Sequence, residues 1–207
     1  MPSTPNTWIL TRGRKQFSLT EPRVGDVTIK DIAFATAHIN RFTGHVGVYS
    51  VAEHCVHVAR RVRDLGGSIE EQLVALLHDA TEAYCGDASS PLKAAMRARM
   101  VLGVPSPYDR IEFGIWYVIA EAFDLELEWS HELPAIVKQA DHELVRIEAE
   151  VLWGPEPLPP EWGPLPAERV DNAERYAPLR WPGPLAAARY LSMFGDLVLA
   201  RHGEMLR

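Results

Sequence analysis

The chain is short of cysteine. Cys55 and Cys85 are the two it has among 207 residues. They give no disulfide framework and read as small buried side chains, which points to the cytosol. Long apolar runs are also missing. No stretch approaches the roughly 18–20 apolar residues needed to cross a bilayer. The opening "MPSTPNTWILTRGRK" has no basic region followed by an apolar one, so no secretory leader is expected. Cationic excess is absent too: 21 Lys and Arg stand against 28 Asp and Glu, a net charge of −7 with His neutral. That argues against a protein that coats duplex nucleic acid. It leaves room for a small anionic substrate, because one metal ion and a few Lys or Arg can invert the local field. No repeat of fixed period occurs. What is present is an ordinary globular balance, 47% hydrophobic and 24% charged, in a chain long enough for one domain with a real core.

Residues 7–30 look extended, with "TWIL" and "QFSL" flanking the turn-like "RGRK", as in a small β-hairpin. "DIAFATAHI" (31–39) reads as a short helix and "NRFTGHVGVY" (40–49) as a loop. "SVAE" at 50–53 is a capping box: Ser50 caps Glu53, and Glu53 reaches back. Helical spacing then predicts a helix over 51–64. "SIEE" is a second capping box, opening a helix over 69–84. A short helix in "SSPLKAAMRARM", a long one near 107–124 and another over about 132–153 follow. The proline-rich stretch 154–184 reads as an irregular arm, and a last helix covers about 185–202. The expectation is a mainly α, single-domain bundle over 1–207, with its helical core at about 30–153 and a small N-terminal β-hairpin.

Within "ALLHDATEAYCGDASSPLK" (75–93), His78 and Asp79 stand side by side in an otherwise apolar segment. On a helix they lie about 100° apart, and Glu82 shares their face. Two antiparallel helices joined by "LGGS" bring His54 opposite His78. Asp141, in "KQADHELV", interrupts a helix otherwise patterned for packing and supplies a second carboxylate. His54, His78, Asp79 and Asp141 suit a divalent ion such as Zn, Mn or Co, with positions left for water and a substrate oxygen. Singly, each residue also has a bland reading as a satisfied or surface side chain. His57, one turn past His54, is either a support for the site or, as the favoured reading, an exposed helix residue.

"YSVAEH" (49–54), "LLHDATEAYCGD" (76–87) and "KQADHE" (138–143) together resemble the HD-domain phosphohydrolases. The likeness covers roughly residues 30–145. Within that superfamily the chain is similar to two groups of small nucleotide hydrolases. These are the bacterial deoxynucleoside 5'-monophosphatases (YfbR-like) and the phage dATP triphosphohydrolases (DatZ-like). The resemblance implies an HD-type helical bundle and a metal-dependent hydrolase of (deoxy)nucleotides. It implies release of phosphate from deoxynucleoside 5'-monophosphates, or of tripolyphosphate from dNTPs such as dATP. It further implies one divalent ion per site (Zn, Mn, Co or Mg) and a homo-oligomer; the composition adds a cytoplasmic protein with no membrane or duplex nucleic-acid partner. Glu82 and Asp87 become the acid/base candidates, with Glu82 orienting water and Asp87 protonating the leaving oxygen. Arg41, Lys93 and Lys138 become phosphate contacts. Phe42, where the family often has Trp, stacks on a base or packs in the core. The alternative is a non-catalytic, metal-stabilised nucleotide-binding module, with Glu82 a solvated carboxylate and Asp87 a turn cap.

Overall fold

The structure, a computed structural model, describes residues 6–125, 132–154, 156, 158–159 and 173–205. Most of the proline-rich arm expected over 154–184 lies outside the described residues. The expected hairpin is present. Strands β1 (Trp8–Leu10) and β2 (Gln16–Ser18) pair antiparallel, with Ile9 opposite Phe17. "DVTI" does not extend this sheet: Val24–Asp26 forms a 3-10 turn, and Thr28 caps helix α1 (Ile29–Thr36) through its hydroxyl. The helix therefore starts two residues before the predicted position.

Helix α2 (Val51–Asp64) is the centre of the molecule. Eleven of its fourteen residues are buried, and it packs against α3 (Ile69–Leu77), α7 (Ala135–Trp153) and α8 (Gly183–Met205). Its C-terminus closes in a Schellman turn, with Gly66 N–H on Arg63 C=O and Gly67 N–H on Val62 C=O, both at 2.9 Å. Gly66 needs the left-handed φ of +86°, and a Cβ on Gly67 would stand 2.5 Å from Val62 Cγ1. That tight turn folds α3 back along α2. The Ser68–Glu71 capping box then starts α3 as expected.

One predicted helix is two pieces. Helix α3 ends at Leu77 and α4 spans Glu82–Cys85. Between them the backbone tightens to i→i−3 hydrogen bonds, Ala80 N–H to Leu77 C=O (2.8 Å) and Glu82 N–H to Asp79 C=O (3.1 Å). The His78–Asp79 doublet sits on this break, not within a continuous helix over 69–84. Helices α5 (Ser90–Arg97) and α6 (Pro107–Ala122) flank the bundle, and α6 opens with a Ser106–Asp109 capping box. Among the described residues no helix is long and apolar enough to cross a membrane.

Candidate metal centre

His54 and His78 face each other across α2 and the end of α3, their ring centroids 5.2 Å apart. His54 Nε2 lies 3.1 Å from Asp141 Oδ1 and 3.7 Å from Asp79 Oδ2. His78 Nε2 lies 3.2 Å from Asp79 Oδ2 and 3.9 Å from Asp141 Oδ1. Each imidazole nitrogen is thus near both carboxylates, and the four side chains predicted from sequence converge. The ligand atoms of His54, His78 and Asp79 all lie within 4.8 Å of one another, a group able to hold a metal ion.

The remaining ring nitrogens explain why both Nε2 atoms point inward. His78 Nδ1 donates to Ala75 C=O at 2.7 Å, and His54 Nδ1 donates to Glu148 Oε1 at 2.6 Å. Such partners fix the tautomer and leave Nε2 as the free donor atom. His54 Nε2 is buried and makes no hydrogen bond. An orphaned imidazole nitrogen among two carboxylates and a second imidazole fits a borderline divalent cation.

Glu148 is the residue that the sequence reading missed. It is fully buried and gathers three groups: Tyr49 Oη donates to Oε1 at 2.7 Å, His54 does so at 2.6 Å, and Arg41 Nε lies 3.3 Å from Oε2. It stands seven residues after Asp141, two turns along the same face of α7. The loop carrying Arg41 and Tyr49 is clamped at its ends by an Asn40–Ser50 bridge and by Arg41 N–H on Tyr49 C=O at 2.9 Å. That clamp delivers both side chains to one carboxylate. The same loop holds Phe42 and Thr43 at φ of 54°, an uncommon conformation for residues with a Cβ. Phe42 meets Trp153 edge-on at 5.0 Å.

The protein's own charges set the protonation pattern. Burial alone would raise Asp79, but His78, Arg41 and His54 hold it far below the usual carboxylate range. Burial and Arg41 disfavour the His54 cation, yet Glu148 and Asp141 carry its pKa above the ordinary value. Burial likewise disfavours the His78 cation, and Asp79 and Cys55 outweigh it. Glu82, buried and with Oε2 unpartnered, is pushed well up by desolvation and by Asp79 and Asp87. Asp87 is raised by desolvation and Asp79, against the pull of Arg41 and Lys93.

A cavity of about 900 Å³ opens beside His78, Asp79 and Asp141. Its cations are Lys93, 2.7 Å from Glu112, and Arg97, which forks onto Asp109 with its closest contact at 2.7 Å. Phe113, Trp116 and the 100–105 loop supply its apolar side. Arg41 does not stand free: its Nη1 is 3.2 Å from Asp79 Oδ2. Lys138 is half exposed, pairs with Glu132, and does not line the cavity, although its neighbours Glu132 and Asp141 do.

Two further expectations change. Ser50 does cap Glu53 N–H (3.1 Å), but the Glu53 carboxylate does not reach back. It accepts from the backbone N–H groups of Leu179, Arg180 and Trp181 at 2.6, 3.0 and 2.7 Å. His57 is buried, not exposed. Its Nδ1 donates to Tyr176 C=O at 3.0 Å, and burial together with Arg60 lowers its pKa to about 4.

The fold and this group define a helical bundle with a His-His-Asp centre able to hold a metal ion. No family model matches the chain. It is 37% identical over 120 residues to the uncharacterised protein YfdR of Escherichia coli, a match covering 58% of this chain and 60% of YfdR. It is 30% identical over 152 residues to an uncharacterised protein of Rhodobacter capsulatus, across 71% of this chain and 74% of that protein. The chain belongs to the family of the Rhodobacter protein.

Proposed function

We propose that the protein is an HD-type, metal-dependent phosphohydrolase acting on (deoxy)nucleotides. The observation that carries this reading is the ring of alternating imidazoles and carboxylates, His54–Asp79–His78–Asp141, at the edge of a cavity large enough for a nucleotide. A divalent ion held by those four residues supplies Lewis acidity toward a phosphoryl oxygen and toward water. The other groups act around it. Lys93 presents an ammonium at the cavity wall, where a phosphate can exchange with its Glu112 partner. Arg41 balances Asp79 and Glu148 and so holds one ligand and the support of another in a fixed relation. Glu82 and Asp87, both raised toward the protonated form, are suited to hold and deliver a proton to a leaving oxygen. Phosphoryl transfer asks chiefly for such positioning and charge compensation.

Substrates are deoxynucleoside 5'-monophosphates or dNTPs, and the same reading makes the protein a cytoplasmic homo-oligomer. Incubation of the chain with each class in Mn, Co, Zn or Mg is the test. Orthophosphate from the former or tripolyphosphate from the latter is expected. No release from any nucleotide with any of the four ions would overturn the proposal.

A further inference from the structure

The far end of α2 carries a second cluster that the hydrolytic reading leaves unused. Arg60 and Arg63 project from α2, Arg175 from the 3-10 turn Ala173–Tyr176, and Arg189 from α8. Two of the four share a carboxylate: Arg63 Nε is 3.2 Å and Arg175 Nη1 3.5 Å from Asp64. Tyr176 Oη also donates to Asp64, at 2.6 Å. The other two share an aromatic ring. Arg189 Cζ lies 4.7 Å and Arg60 Cζ 5.9 Å from the centroid of Trp181, which is 4% exposed. Arg60 and Arg189 make no hydrogen bond or ion pair among the described residues.

Among the described residues cationic charge is therefore in surplus here, even with the exposed Glu174 counted beside Asp64, on a chain whose net charge is −7. Arg60 registers it: partial burial, then Arg189, Arg63 and Arg175, depress its pKa. Basic residues at a helix C-terminus offset the helix dipole. That does not account for Arg175 and Arg189, which reach the same spot from other elements. Arg61, between the two α2 arginines, is already held by Glu143 at 2.7 Å.

We propose that Arg60, Arg63, Arg175 and Arg189 form a second anion site, which takes an oligophosphate group. Guanidinium forks match phosphate oxygens, and a surplus of two or more positive charges matches a di- or triphosphate. The buried indole orients two of the forks and offers no face to a base, so the phosphate chain alone is read. Arg60 and Arg63 lie six and nine residues beyond His54 on α2, about 9–14 Å along the axis at 1.5 Å per residue. The site is thus separate from the metal centre and independent of what that centre does.

The test uses the full chain carrying Asp79→Ala in metal-free buffer, so that no metal ion draws phosphate to that centre, with inorganic tripolyphosphate and calorimetry at about 150 mM salt; the arginine variants separate this site from Lys93 and the freed Arg41. Saturable binding is expected. The Arg60→Ala/Arg189→Ala pair should weaken it by about tenfold or more, and Arg189→Lys by less, because charge persists without the fork. If the double variant fails to fold, the exposed Arg189→Ala alone should still weaken binding severalfold. A nucleoside triphosphate should bind as tightly as tripolyphosphate. Absence of saturation, unchanged affinity in the arginine variants, or a marked preference for the nucleotide would each overturn the site. Loss of nucleotide hydrolysis in Asp79→Ala bears on the metal centre alone.

Discussion

The two walls of the cavity are built differently. The wall that carries His78, Asp79 and Asp141, with His54 of α2 buried behind it, is made by the break after α3 and by α7, where ring nitrogens and carboxylates are held by further partners. The opposite wall is made by α5, α6 and the 100–105 loop. Helix α5 has no buried residue, and Val101 and Leu102 are 76% and 101% exposed. One wall is over-determined; on the other, α6 is anchored in the core but α5 and the loop are lightly held. Chemistry that must be accurate to fractions of an ångström belongs on the first, and recognition that tolerates variation belongs on the second.

That contrast can be broken most directly at Asp79. Asp79→Ala should abolish both metal retention and nucleotide turnover while far-UV circular dichroism stays native; elemental analysis and phosphate release report each. Full activity in that variant would remove the first wall from the chemistry. Glu82→Gln should lower turnover by about 10²–10⁴-fold yet keep the metal. Loss of the metal would make Glu82 a ligand instead. Glu148→Ala should weaken metal affinity by about 10–100-fold, since His54 loses the partner that fixes its tautomer. Glu148→Gln, which keeps the shape, should weaken it less.

His57 tests through pH the packing of α2, the helix that carries His54. Its folded pKa of about 4 lies below the ordinary 6.5, so the unfolded chain binds the extra proton between those values. Its contribution is whole above pH 6.5 and is lost as pH falls toward 4, by at most about 3 kcal/mol. Urea unfolding of His57→Phe between pH 7 and pH 5 should show a shallower loss of stability than the parent chain. The smallest effect belongs to the loose wall. Leu102→Ser should change stability by less than about 0.5 kcal/mol. It should raise KM for a nucleotide a few fold with kcat unaltered, and an equal fall in kcat would make this wall part of the chemistry.

Local signals made much of this legible. Turn residues marked the hairpin, and serine caps marked the starts of α2 and α3. The "LGGS" connection implied the antiparallel pair that brings His54 to His78. What stayed hidden depends on contacts remote in sequence or on backbone detail. Glu148 reads as one more solvated acid on an amphipathic helix until Tyr49 and Arg41 are seen to converge on it. Glu53 looks like the second half of a capping box because its real partners lie 126–128 residues away. The break at 78–81 leaves no glycine or proline behind, so helical periodicity ran straight through it.

Glu53 adjoins His54 in the chain, and three consecutive amides from 179–181 close over its carboxylate. Until a growing chain has emerged past Trp181, that acid has no protein donors and α2 lacks its cover. The centre therefore matures late in synthesis, after the element that begins it has long left the ribosome. A protease cut ahead of Leu179 would uncover the neighbour of His54 without touching His54 itself.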